Sequence, residues 1–78
     1  MKLDDILKFI LLGFIEKETD LKIKQTEVEG ILNFEILLNE ADVGRVIGKG
    51  GRTLKSIRNI LRIVAAKEGR RVNLQIVK

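Results

Sequence analysis

The chain has no cysteine, histidine, tryptophan, tyrosine or proline, and its only aromatic residues are three phenylalanines. Without cysteine there is no disulfide and no thiolate metal site. Without histidine the commonest general base and metal ligand is missing. Ser56 is the only serine, and no base is available to activate it. Catalysis is therefore not expected, nor is a metal or a cofactor. A secreted domain this small usually carries disulfides, so a cytoplasmic address is expected. Long apolar runs are also missing. Residues 6–15 are mostly apolar, but Lys8 interrupts them and Glu16, Lys17 and Glu18 follow. A membrane span needs about 20 apolar residues, and no small-residue cleavage site follows. The run is read as a core helix, with no membrane association.

What is present is charge, and it is divided unevenly. Residues 1–42 carry five lysines and ten acids, a balance of −5; residues 43–78 carry ten Lys or Arg and the single acid Glu68, a balance of +9, for the net +4. Such a split within one small domain predicts one basic face. With 78 residues the chain makes one domain. A chain of this size buries only about 60% of its unfolded surface, and its 45% apolar content is enough for a core.

The apolar residues set the elements. Leu3, Ile6, Leu7, Ile10, Leu11 and Phe14 recur at helical spacing and predict a helix from about 3 to 17. Alternation around Leu21 and Ile23, a turn at Glu29-Gly30, and Leu32, Phe34, Ile36 and Leu38 on one side predict an antiparallel hairpin over about 21–38. Asn39 is placed as a helix N-cap, with Asp42 favouring the helix N-terminus. A short helix is expected from about 40 to 47. A longer one follows from 52 to about 67, with Gly69 at its C-terminal cap. A last strand covers about 71–77, with Val72, Leu74 and Ile76 inward. The order α-β-β-α-α-β puts a two-helix crossover between the second and third strands, which joins parallel strands. The fold class is α+β: a three-stranded mixed sheet with 31–38 in the middle and three helices on one face.

The stretch Val46-Ile47-Gly48-Lys49-Gly50-Gly51-Arg52 lies between the two helices. Glycine permits positive φ and lets another chain approach the backbone. The loop opens onto a helix whose first N–H groups are unpaired and partly positive, a favourable place for phosphate. Lys49 and Arg52 add charge there. A GxxG corner alone is weak evidence, since a turn between helices also uses glycine. Here it coincides with the basic half of the chain. On the long helix, Leu54, Ile57, Ile60, Leu61, Val64 and Ala65 form a core face at about 100° per residue. Arg52, Lys55, Arg58 and Arg62 fall beside it, and the first three could follow phosphates leading from the loop. Arg62, farthest away, is read as solvated. Ile63 falls among polar neighbours. With Ile60 it is a candidate contact for a two-fold homodimer, which would compete with phosphate binding if it covered the loop.

Other classes fit less well. Gly44-Arg45-Val46-Ile47-Gly48-Lys49 fails as a P-loop, because three residues rather than four separate the glycines and Gly50 follows the lysine. A helix-turn-helix for DNA is conceivable from the basic helix, but strands flank the helix pair. RRM and OB modules stack bases on aromatics. The three phenylalanines, Phe9, Phe14 and Phe34, all sit at core positions by spacing.

The run Asp42-Val43-Gly44-Arg45-Val46-Ile47-Gly48-Lys49-Gly50-Gly51, with Leu54 and Ile57 after it, resembles the signature of a KH domain, the module whose GXXG loop clamps about four nucleotides of backbone. The element order resembles the type II arrangement. The small size and the closing Gly69-Arg70-Arg71-Val72 are similar to the bacterial single-KH proteins of the KhpA family. The resemblance covers nearly the whole chain, most closely 42–58, and departs at Glu40, near which a proline is expected. It implies binding of single-stranded RNA, with Gly48, Lys49, Gly50, Gly51 and Arg52 along the RNA backbone. Val43, Ile47 and Leu54 become candidates for the groove floor, with ordinary core packing the alternative for each, and Arg45, Lys55 and Arg58 candidates beside it. It further implies a partner KH protein (KhpB), a role as RNA chaperone or post-transcriptional regulator, and effects on cell division and elongation. Single-stranded DNA binding, or a protein-interaction module of KH shape, remain the alternatives.

Overall fold

A computed structural model describes residues 2–77. Its elements are α1 (Leu3–Leu12), β1 (Lys22–Val28), β2 (Ile31–Leu37), α2 (Glu40–Ile47), α3 (Arg52–Lys67) and β3 (Arg71–Val77), with single 3-10 turns at Glu18–Asp20 and Lys49–Gly51. The expected α-β-β-α-α-β order is present. The sheet order is β1-β2-β3, with β1 antiparallel and β3 parallel to β2.

Register explains why the sheet has one wet and one dry face. Phe34 is opposite Gln25 on one side and Leu74 on the other, and Leu32 is opposite Val72. With side chains alternating along each strand, Leu32, Phe34, Ile36, Val72 and Leu74 share the face toward the helices, and all are buried. Leu7 and Leu11 of α1 and Ile57, Leu61 and Ala65 of α3 complete that core. The hairpin turns at Glu29 and Gly30, both with positive φ (51° and 79°), the geometry that matches strand twist in a two-residue turn.

α1 is shorter than its periodicity predicts. It stops at Leu12 rather than near Lys17, because two other interactions take the chain that follows. Ile15 turns into the core. The Glu16 and Lys17 N–H groups donate to the Asp42 carboxylate, at 3.1 and 2.9 Å, instead of to α1 carbonyls. Two phenylalanines expected in the core lie outside it: Phe9 is 74% and Phe14 41% exposed. Phe9 sits on the helix side away from Leu7 and Leu11, and the early stop leaves Phe14 beyond the helix. Ile60 also departs from expectation. It is 45% exposed, at the margin of the α3 core face rather than within it.

α3 ends as its sequence predicts. Arg70 N–H bonds to Ala65 O and Gly69 N–H to Ala66 O, a paired closure that satisfies the last carbonyls and delivers the chain directly into β3. Among the described residues, no helix is long and apolar enough to cross a membrane.

Candidate nucleic-acid interface

Two helix ends and one buried carboxylate build the site. α2 begins at Asn39, whose Oδ1 accepts the Ala41 N–H at 2.9 Å while its Nδ2 donates to Asp20 Oδ2 at 2.8 Å. Three residues into the chain from that cap, Asp42 is only 1% exposed. It does more than complement a helix dipole. Its two oxygens accept the Glu16 and Lys17 N–H groups and fasten the segment after α1 onto α2. These two donors, Lys17's first, favour the charged carboxylate and hold its pKa below the ordinary value of 3.8; burial opposes them, and the charges of Arg45 and Lys17 add to them. The sequence signal for this clasp was an acid at an otherwise apolar position of a short helix, but its partners are some 25 residues away and invisible to local spacing.

The same clasp occupies Arg45. Its guanidinium pairs with Glu16 at 3.0 Å and lies 3.9 Å from Asp42. Arg45 is thus held at the α1 side of α2, which argues against its expected place in the groove.

α2 ends at Gly48, whose N–H still bonds to Gly44 O at 2.9 Å. Its φ of 76° and ψ of 174° lie in a region essentially reserved for glycine. The reason is proximity as well as torsion: a Cβ here would sit 2.1 Å from Thr53 Oγ1, 2.6 Å from Thr53 Cβ and 2.9 Å from Thr53 N. Gly48 therefore lets the first turn of α3 fold back against the end of α2. Lys49, Gly50 and Gly51 make one tight turn, closed by Gly51 N–H to Gly48 O at 3.2 Å and Arg52 N–H to Lys49 O. Gly51, left-handed with φ 77°, is the residue before α3.

This closure leaves two donors over. Among the described residues, neither the Lys49 nor the Gly50 N–H has an acceptor. Both lie at the N-terminal end of a helix of 16 residues, where the partial charge is positive. The Lys49 and Arg52 side chains are exposed beside them, and the first turn of α3 contains no acid. Gly48, Lys49, Gly50, Gly51 and Arg52 thus form one cationic, donor-rich knuckle able to hold the oxygens of a phosphate.

Of the expected floor residues, Val43 lines a mainly apolar cavity of about 510 Å3 with Leu37, Leu38, Glu40, Gly44 and Val77, between α2 and the ends of β2 and β3. Ile47 and Leu54 are half-buried, and Leu54 packs on the core; neither lines that cavity. Lys55 is exposed on α3. Arg58 is half-buried, and its Nη2 donates to Leu74 O of the edge strand β3 at 3.1 Å. It braces α3 on the sheet. Ile63 is 64% exposed, as its polar neighbours imply.

A family model described as KhpA/KhpB, KH domain matches residues 4–76. RNA-binding protein KhpA of Borreliella burgdorferi is 36% identical over 73 residues, covering 94% of this chain and 89% of that one. RNA-binding protein KhpA of Thermotoga maritima is 32% identical over 74 residues, with 95% and 97% covered. Among solved structures, Era in complex with MgGDPNP and nucleotides 1506–1542 of 16S ribosomal RNA superposes with a TM-score of 0.69 at 23% identity. A variant of Aquifex aeolicus Era bound to GDP.AlF4- gives 0.68 at 23%. Each match covers 95% of this chain but under a third of the Era chain, so the likeness is one of fold.

Proposed function

The chain belongs to the KhpA/KhpB KH-domain family, and from that premise and the geometry of the glycine turn we propose that it binds single-stranded RNA through its sugar-phosphate backbone. The observation that carries the reading is the pair of unclaimed N–H groups at Lys49 and Gly50, set at the start of α3 with the Lys49 and Arg52 cations on either side. Backbone donors and side-chain charge converge on one anion there, and the open space around Gly50 admits a second chain. The relatives named above are RNA-binding proteins by name, which favours RNA over DNA as the single strand. Val43 and its cavity would receive bases, with Ile47 and Leu54 behind.

The test is binding of fluorescein-labelled single-stranded RNA by wild type and by the double variant Lys49→Asp/Gly50→Asp. Nothing lies within 4 Å of a Cβ at Gly50, and Asp tolerates left-handed φ, so the variant keeps its fold. Three phosphate contacts would give log K a slope near −2 against log salt. Loss of binding in the variant supports the reading; equal binding by both proteins sinks it. Equal affinity for single-stranded DNA would remove the preference for RNA.

Family resemblance carries the cellular part of the proposal: action with a second KH protein of the KhpB kind, as an RNA chaperone or post-transcriptional regulator, with consequences for cell division and elongation. One KH module binds weakly, and a partner supplies avidity. The exposed Ile60 and Ile63 on α3 favour a homodimer through that helix. Sedimentation that stays monomeric at high concentration, for wild type and Ile63→Lys alike, would remove that part alone.

A further inference from the structure

A second cationic cluster lies at the far end of α3 from the glycine turn. Arg62, Arg70, Arg71 and Asn73 line a cavity of about 400 Å3 floored by Ile31, Ala66 and Val72. Arg62 and Asn73 also line the neighbouring cavity, about 420 Å3, with Arg58, Asn33 and Gln75. The two cavities therefore adjoin at Arg62 and Asn73, by the edge of β3. Sequence spacing placed Arg62 on a solvated face remote from the loop. The turn at Gly69 changes its company, because it brings the first residues of β3 back beside the last turns of α3.

The charges in this region are not equivalent. Arg70 is committed to an ion pair with Glu27. Arg58 is tied to Leu74 O. Glu35, on the second cavity, faces Lys24 across the β1–β2 pair. Arg62 and Arg71 have no hydrogen-bonding or ionic partner among the described residues, and both are exposed. Asn73 lines the same cavity as both, exposed, with its Nδ2 donating to Asn33 Oδ1 at 3.3 Å. Two uncommitted guanidinium groups and an amide on one cavity suit a polyanion that also carries hydrogen-bonding edges, which is the chemistry of a nucleic-acid strand. Along α3, Arg62 stands ten residues beyond Arg52, about 15 Å at the helical rise. One phosphate cannot span that gap, but a continuing strand can.

We infer that the single strand held at the glycine turn continues along the α3–β3 edge, with Arg62 and Arg71 gripping its further phosphates and Asn73 set to hydrogen-bond a base between them. The inference rests on the reading of the glycine turn. It gives the domain a footprint longer than the roughly four nucleotides that one GXXG clamp covers.

The experiment compares RNA oligomers of about four and about twelve nucleotides, within the span single-strand modules cover. Three proteins are titrated over a range of salt: wild type, Arg62→Gln/Arg71→Gln, and Lys8→Gln/Lys22→Gln. The last removes the same charge from α1 and β1 at residues that line neither cavity, and all four side chains are exposed. Wild type should bind the longer oligomer with a slope steeper by about 1.4, for two added phosphates. The arginine variant should lose that increment and keep wild-type affinity for the short oligomer, and the lysine variant should retain both. A wild type whose slope ignores length overturns the extension, as does an arginine variant that keeps the full increment or a lysine variant that loses it equally. Failure of wild type to bind either oligomer overturns the reading of the glycine turn, and the extension falls with it.

Discussion

Replacing Gly48 by alanine separates the two jobs that glycine does in this turn. At φ 76° and ψ 174° an alanine is in a region that costs about 1–3 kcal/mol. Its Cβ also meets Thr53 at three atoms, of which Oγ1 at 2.1 Å can rotate away, whereas Cβ at 2.6 Å and the backbone N at 2.9 Å cannot. Relieving those two contacts means moving the first turn of α3, an overpacking cost of about 1–3 kcal/mol more. The total, about 2–6 kcal/mol, is a large part of the roughly 4–12 kcal/mol that a chain of this length has in all. Gly51 is the comparison. Its φ of 77° is left-handed, but a Cβ there meets nothing within 4 Å, so Gly51→Ala should cost about 1–2 kcal/mol. Urea unfolding followed by far-UV circular dichroism measures both. Gly48→Ala should be the less stable, by about 1 kcal/mol if both costs sit at the low ends of their ranges and about 4 kcal/mol if both sit at the high ends. Adding Thr53→Ala should restore only part of the loss, because it removes Oγ1 and leaves Cβ and N in place. If Gly48→Ala is no less stable than Gly51→Ala, the close approach of Thr53 is not what requires glycine, and the turn's first position is functional only.

Asp42→Asn should lower the melting temperature and change its dependence on pH. The carboxylate's pKa is depressed in the folded chain, so its contribution is complete above the ordinary value of 3.8 and is lost as pH falls through the lower folded value. The stability gap between wild type and Asp42→Asn should narrow on titration from about pH 6 to about pH 2; a gap that stays constant would mean the clasp acts through shape and not charge. Phe34→Ala should cost about 3–5 kcal/mol, as expected for a fully buried aromatic. Phe9→Ser should stay within about 0.5 kcal/mol by the same thermal unfolding measurement. A large loss from Phe9→Ser would show that Phe9 is covered in an assembled form of the protein.

Local chemistry was enough for much of this protein. Alternating apolar residues around Phe34 and Leu74 specify strands because a strand's side chains alternate faces wherever it pairs. The Asn39 cap, the Glu29-Gly30 turn and the glycines after Ile47 act over one to four residues, so they can be read without the fold. The parallel pairing of β3 with β2 follows from the two-helix crossover between them. The glycine turn is legible for the same reason: its glycines, its cations and the helix it opens are contiguous in the chain.

Tertiary structure decided whatever depends on a distant partner. Helical spacing alone continues α1 past Leu12; Asp42, reaching back from α2, takes the N–H groups that would have extended it. That capture also pairs Arg45 with Glu16, from the segment after α1. Spacing marks Phe9 and Phe14 as apolar residues on a helix, but which apolar residues are covered depends on where α3 packs, and α3 covers Leu7 and Leu11. Arg62 reads as solvated because it is the cation farthest from the loop; the return of β3 brings Arg71 and Asn73 to the same cavity. Sequence specifies the interactions made within a few residues, where geometry is set by the backbone itself. Those between residues on different elements exist only once packing has chosen which faces meet.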